Sequence, residues 1–326
     1  MTPVTAPAGT LGTLAEKYLA FRRSLGFEMD KPGFLVRRFA AYCDGAGIGH
    51  VTDQAVLDWV LLARPVAPSY RWLRLNAVRQ FTLYLHALDP VHQVSPPDLV
   101  PSRRDRPAPC IVTGEQIETL MDTAGRLRPE LHAATLRTLT GLVAATGMRT
   151  CEAVRADDGD IDPDEGAMTL HGKNRRDRRI PLHPTTLDAL AGYQQTRGRL
   201  IPGYAGPGLL VNIKGGRLDA SQARSHFAHL VDKAGLGHLV PRPTLKALRH
   251  TFAVTTLIGW LNDDADTQAC LPLLQAHMGH TKPRHTYWYY SDSRVIPILV
   301  PSRTWRACDL GRRALAAADC RDNPVR

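Results

Sequence analysis

Residues 244–257 read Thr-Leu-Lys-Ala-Leu-Arg-His-Thr-Phe-Ala-Val-Thr-Thr-Leu, and residues 277–291 read His-Met-Gly-His-Thr-Lys-Pro-Arg-His-Thr-Tyr-Trp-Tyr-Tyr-Ser. The first stretch sits in a helix expected over about 244–259, where Lys246 and Arg249, three apart, share a face. The second leaves a helix expected near 267–278 through a Gly-His turn and reaches Tyr289 nine residues after His280.

Two further patterns lie upstream. Residues 144–154, Ala-Ala-Thr-Gly-Met-Arg-Thr-Cys-Glu-Ala-Val, follow a long helix expected from about Pro129 to Ala145 and ended by Gly147. Arg149 then stands on the first turn of a new helix, with Glu152 one turn on. Residues 171–182, His-Gly-Lys-Asn-Arg-Arg-Asp-Arg-Arg-Ile-Pro-Leu, close a segment from about 160 whose alternation and turn signals suggest short antiparallel strands. Lys173 falls at the hairpin tip. Taken singly, an Arg–Glu helical pair or a lysine in a turn is an ordinary surface feature.

Before Pro90 the chain reads as a helical bundle. Leu11, Leu14, Tyr18 and Phe21 recur at helical spacing, as do Phe34, Leu35, Phe39 and Tyr42, while Thr52-Asp53 caps a run through Val56, Leu57 and Val60. Ser69 opens a longer amphipathic run through Trp72, Leu75, Val78, Phe81, Thr82 and Leu85. Arg22, Arg23, Arg37, Arg38, Arg71, Arg74 and Arg79 are expected on polar faces, with Arg71 and Arg74 among the candidates to grip phosphates. Pro90 to Pro109 is proline-rich and basic, which favours an extended connection, and Arg103, Arg104 and Arg106 lie there as further phosphate contacts. The expected architecture is mostly α with a small antiparallel β-sheet. A helical domain spans 1–95, a basic linker 96–110, and an α+β domain 111–326 with a C-terminal tail.

Composition narrows the function classes. Lys plus Arg number 41 against 31 Asp plus Glu, a net charge of +10 that favours a polyanionic partner. No run of eighteen apolar residues appears, and the N-terminus lacks a basic start followed by an apolar stretch, so a soluble cytoplasmic protein away from the membrane is expected. The six cysteines are scattered without a Cys-x-x-Cys pair, which signals neither a zinc knuckle nor a disulfide framework. His250, His277 and His285 lie near the motifs, but no pair among them has zinc-site context.

Together, in order and spacing, the four patterns resemble the tyrosine recombinase (phage integrase) family over roughly residues 110–295, the Leu-Arg-His-Thr-Phe-Ala and Met-Gly-His to Tyr blocks being the specific parts. The N-terminal bundle is similar to that family's core-binding domain in style only. The resemblance implies that Arg149 and Arg249 hold a scissile phosphate, Lys173 protonates the leaving oxygen, His280 donates to a phosphate oxygen, and Tyr289 attacks phosphorus. Glu152 would support the Arg149 turn. Tyr287 and Tyr290 compete for the nucleophile's place, and the family spacing from His280 selects Tyr289. The implied partners are double-stranded DNA and further protomers, in a tetramer on two DNA sites, with Trp305, Leu310 and Leu315 in a tail packing against a neighbour. Neither cofactor nor metal is implied, because guanidiniums do the electrostatic work and the phosphotyrosine bond conserves energy.

Two departures stand out. The residue three before the second arginine is histidine in the family and Lys246 here, where it is expected to stabilise transition-state charge. The interval from Arg249 to His280 is long, as in transposon-borne recombinases, some encoded beside related partners. Integration, excision and transposition all remain open, as do an accessory subunit with weakened chemistry and a nicking-closing topoisomerase.

Overall fold

The computed structural model describes residues 10–62, 68–101, 110–172, 177–263 and 265–291, apart from the side chains of Trp288, Tyr290 and Ser291. Lys173, the linker arginines Arg103, Arg104 and Arg106, and the tail with Trp305, Leu310 and Leu315 lie outside them. The chain divides into two compact units, Met1–Arg106 and Pro107–Arg326.

The first unit is a bundle of α1 (Leu11–Ser24), α2 (Asp30–Gly45), α3 (Asp53–Leu61) and α4 (Pro68–Leu88). Thr10 and Thr52 cap α1 and α3 by accepting from backbone N–H groups in the first turn. The apolar stripes meet around Phe39 and Phe81, both fully buried, with Tyr18 and Trp59 against them.

Two expectations change here. Arg74 is not on a polar face: it is 8% exposed, its guanidinium lies 3.8 Å over the Trp59 ring, and Nη2 donates to the Trp59 carbonyl. The reason is periodicity, because residues 74, 78, 81 and 85 form one stripe of α4 and Val78, Phe81 and Leu85 are core. Arg71, half-buried, is the other arginine of this helix considered for phosphate contact. The unit also runs further than residue 95. Val100 is buried in its core and Leu99 packs against it, so the described chain through residue 101 belongs to the bundle rather than to a linker. The prolines there shape a packed segment, and Arg79 donates to the Ser95 carbonyl beside it at 2.9 Å.

The second unit places a three-stranded antiparallel sheet, β1 (Ile161–Asp162), β2 (Ala167–Leu170) and β3 (Arg178–Pro181) in that order, among helices. These are α5 (Gly114–Gly125), α6 (Glu130–Thr146), α7 (Thr150–Arg155), α8 (Pro184–Leu200), α9 (Ala220–Lys233), α10 (Leu245–Asn262), α11 (Thr267–Met278) and α12 (Arg284–Ser291). Register pairs Met168 with Ile180, and both side chains enter the main core with Leu139, Val143, Met148 and Leu248. A second cluster, built from Phe252, Leu257, Leu271, Leu274 and Met278, joins α10 to α11 and receives Tyr289 of α12. Among the described residues no helix is long and apolar enough to cross a membrane.

Arg74→Ala removes a buried, charge-assisted hydrogen bond together with a cation–π contact, and should cost about 2 kcal/mol. Urea unfolding followed by tryptophan fluorescence should show the midpoint fall accordingly. Arg37→Ala, which breaks only the exposed pair with Glu16, should leave it almost unmoved.

Candidate active site

The site forms where two helices end. α6 stops at Gly147, whose φ of 62° is the left-handed conformation that closes helices, and α11 stops the same way at Gly279, with φ of 60°. A Cβ on Gly147 would stand 2.4 Å from Phe252 Cδ1, so the close approach of α6 to α10 requires glycine there. Helix ends leave carbonyls without intrahelical partners and carry partial negative charge. Here guanidiniums fill them. At the end of α11, His277 O accepts from Arg178 Nε at 2.7 Å, Met278 O from Arg249 Nη2 at 2.6 Å, and Gly279 O from Arg149 Nη2 at 2.6 Å. At the end of α6, Gly147 O accepts from Arg249 Nη1 at 2.7 Å and Thr146 O from His277 Nε2 at 2.8 Å.

One carboxylate binds the set. Glu152 is 4% exposed; it accepts from Arg149 Nη1 at 2.7 Å and takes a bidentate pair from Arg178 at 2.8 and 2.9 Å. It also accepts from the Arg149 backbone N–H at 2.7 Å, capping α7. Burial alone would raise its pKa, but the bonds from Arg178 and Arg149 outweigh that and hold it at about 2. Arg249, 7% exposed, is lowered to about 10 by burial and by Arg149, and keeps its charge at neutral pH. Burial and then the arginines lower His280 to about 3, so its ring is neutral. With Arg249 Nη2 donating to His280 Nε2 at 3.1 Å, His280 carries its proton on Nδ1 and donates to Thr286 Oγ1 at 2.9 Å.

α12 brings Tyr289 to the same place. Thr286 and Tyr289, three apart, face inward together, 1% and 3% exposed. The Tyr289 ring lies 6.3 Å from that of His280 and 5.4 Å from that of His250, and its hydroxyl is 2.8 Å from His250 Nδ1. Tyr287, by contrast, is 48% exposed.

Of the residues singled out from sequence, Arg149, Arg249, His280 and Tyr289 thus come together, and Glu152 joins them as the turn's support. Lys246 is exposed on α10, and among the described residues no hydrogen bond or ion pair ties it to the cluster; the three-residue spacing leaves it outside while Arg249 turns in. Sequence reading missed Arg178 and His250. The signal for Arg178 was strand alternation, since it shares the inward face of β3 with Ile180. For His250 it was the stripe it forms with the buried Val254 and Leu257. A groove of about 570 Å³ between α5, α6 and α8 shares no residue with the cluster.

Metal ligation was weighed at His250, His277 and His285. His277 is engaged by Thr146 O, and the group whose ligand atoms lie within 4.8 Å of one another, His50, Asp89 and His92, is in the first unit. There Val51 N–H donates to His92 Nδ1 at 3.1 Å, which leaves the proton of the neutral ring on Nε2 and no lone pair for an ion.

Guanidiniums, neutral imidazoles and a phenol around one point, in a helical unit with a small sheet, define the class of tyrosine recombinases. The phage integrase family matches residues 111–294. The Sinorhizobium fredii protein y4rE, named as an integrase/recombinase, is 33% identical over 296 residues, covering 89% of this chain and 94% of that one. The tyrosine recombinase XerC of Roseiflexus sp. is 30% identical over 249 residues, covering 73% of this chain and 74% of XerC. Among solved structures, the Tn1549 transposon integrase in complex with transposon right end DNA has a similar fold, with a TM-score of 0.63 at 18% identity, covering 87% of this chain and 95% of that one. The chain belongs to the phage integrase family of tyrosine recombinases.

Glu152 gives the site an acid-sensitive anchor. Its folded pKa of about 2 lies below the ordinary 4.5, so its contribution is complete above pH 4.5 and is lost as pH falls toward 2. That pH-dependent part is about 3 kcal/mol. Urea midpoints at pH 7 and pH 3 should fall steeply for the wild type, whereas Glu152→Gln should start lower and depend less on pH.

Proposed function

We propose that the protein is a site-specific recombinase that cuts and rejoins double-stranded DNA through a 3′-phosphotyrosine at Tyr289. The observation that carries the assignment is the convergence of Arg149, Arg249 and His280 at the end of α11, with the Tyr289 ring 6.3 Å from that of His280. A phosphate entering between the two guanidiniums would find planar donor forks matched to its oxygens. As the phenol oxygen bonds to phosphorus, the non-bridging oxygens gain charge that Arg149 and Arg249 stabilise, and the bond to the 5′ oxygen breaks. Lys173 supplies the proton for that oxygen. His280 leaves its contact with Arg249, takes a proton from solvent on Nε2 as the negative charge of the phosphate favours the imidazolium, and donates from Nε2 to a phosphate oxygen.

DNA as the partner is supported by the net charge of +10 and by the two folds it resembles that are bound to DNA, the Tn1549 integrase with transposon right end DNA and XerH with its difH substrate. Lys246, exposed on α10, would add charge toward the backbone, as would Arg103, Arg104, Arg106 and Arg71. The working assembly we infer is four protomers on two DNA sites, since strand exchange needs paired cuts, and related recombinases encoded alongside could share it. Integration, excision and transposition each use this chemistry.

On a nicked suicide substrate, wild type should form a covalent adduct that survives denaturation and excess chelator. Tyr289→Phe should form none while binding DNA within about twofold. Arg149→Ala and Arg249→Ala should slow adduct formation on the order of 10²–10³-fold, as loss of a transition-state charge contact does. An adduct in Tyr289→Phe, or restoration by added metal after chelation, would remove the proposal.

A further inference from the structure

Every tyrosine nucleophile must lose its proton, and Lys246, one turn before Arg249 on α10, is exposed and is expected to contribute charge rather than to act as a base. The structure assigns that task to a different group: we propose that His250 is the general base that takes the phenol proton from Tyr289. This rests on the recombinase reading above. Nδ1 of His250 lies 2.8 Å from the Tyr289 hydroxyl, inside the reach required of a proton acceptor. The ring centroids are 5.4 Å apart and the ring planes are tilted by 59°.

The surroundings suit the transfer. Tyr289 is 3% exposed, within the cluster of Phe252, Leu257 and Leu274, so bulk water has little access to the hydroxyl as a competing acceptor. Arg249, the preceding residue on α10, interacts electrostatically with Tyr289 and would stabilise a phenolate. His280, the other imidazole beside the phenol, has Nδ1 on Thr286, and its Nε2 is committed first to Arg249 and then, in the reaction proposed above, to a phosphate oxygen. His250 Nδ1 is within reach of the hydroxyl, and it accepts the phenol proton in the tautomer that carries its own proton on Nε2. In cleavage the phenol oxygen forms the bond to phosphorus, its proton passes to His250 Nδ1, and the electron pair of the breaking P–O bond leaves with the 5′ oxygen, which takes its proton from Lys173. Rejoining reverses each transfer, and His250 returns the proton to Tyr289. No oxidant, metal or further reactant enters.

The test separates holding the phenol from accepting its proton. In His250→Asn the side-chain oxygen stands near the position of Nδ1, so it can accept the hydrogen bond but cannot take the proton. DNA binding of this variant, read by gel shift, should match the wild type. Single-turnover adduct formation on the suicide substrate should fall on the order of 10²–10⁴-fold, the range of general acid–base catalysis. Installing 3,5-difluorotyrosine at position 289, a near-isosteric phenol that ionises more readily, should restore most of that loss in His250→Asn and change the wild-type background little.

Wild-type rates in His250→Asn would overturn the assignment, and so would a slow variant that the fluorinated phenol does not rescue. Should His250→Asn fail to fold, the fluorinated wild-type protein still decides the matter. A base that already removes the proton leaves its rate at pH 7 within a few fold of the natural phenol, and a rise of a hundredfold would mean that no base acts. Absence of any adduct in the wild type would instead overturn the recombinase reading itself.

Discussion

Three consecutive carbonyls at the end of α11, those of His277, Met278 and Gly279, each accept from a different arginine, and those arginines come from three distant parts of the chain. Arg149 arrives at the start of α7, Arg178 from the edge of the sheet and Arg249 from α10. Left to themselves, three guanidiniums this close would repel. The dipoles of two helix ends and the single buried carboxylate of Glu152 make the arrangement stable. Removing one partner from such a buried pair typically costs about 3–5 kcal/mol, because the charge left behind stays out of water. The cluster proposed to meet phosphate is thus also the joint that holds α6, α7, β3, α10 and α11 in register.

The electrostatic consequence is a site charged in advance of its ligand. Arg149, Arg178 and Arg249 face one carboxylate, and burial together with these cations keeps His277 and His280 neutral. An anion entering here satisfies positive charge that the protein has already assembled, so little reorganisation is needed when charge grows on a phosphate in the transition state. Neutrality of the histidines has a use as well. A neutral imidazole can accept a hydrogen bond, as His280 does from Arg249, and protonated rings would add two more like charges to the cluster.

The helices were legible where periodicity and caps agreed. Gly147 announced the end of α6, and the alternation after Asp160 became the three strands. That Arg149, Arg249, His280 and Tyr289 come together was legible because each sits beside a local signal, a helix end or a fixed interval from a Gly-His turn. What failed was sidedness. Arginine reads as surface, yet Arg74 has a long apolar stem and a flat cation that covers Trp59 in a stripe of core positions. Proline-rich sequence reads as linker, yet Val100 is buried. Arg178 was hidden in a run of basic residues whose members differ only in which face of the strand they occupy, and that face is set by pairing with Met168 through Ile180. Side-chain partners 100 residues away leave no mark in local spacing.

Helix α10 shows how the departure at Lys246 is accommodated. Successive residues on an α-helix point about 100° apart, so Arg249 and His250 address different neighbours from adjacent positions. Arg249 turns to the ends of α6 and α11, while His250 turns to α12 and the Tyr289 hydroxyl. The guanidinium of Arg249 and the imidazole nearest the Tyr289 hydroxyl are therefore fixed by one rigid element, and their relative position does not depend on the residue one turn earlier. Tyr289 is aimed from the other side by packing rather than by polar contacts alone, since its ring is part of the apolar cluster of α10 and α11 and Thr286 bonds to His280 one turn before it. Anything that unseats α12 withdraws Tyr289 and the partner of His280 together, so the hydrophobic contact that seats this short helix also completes the cluster.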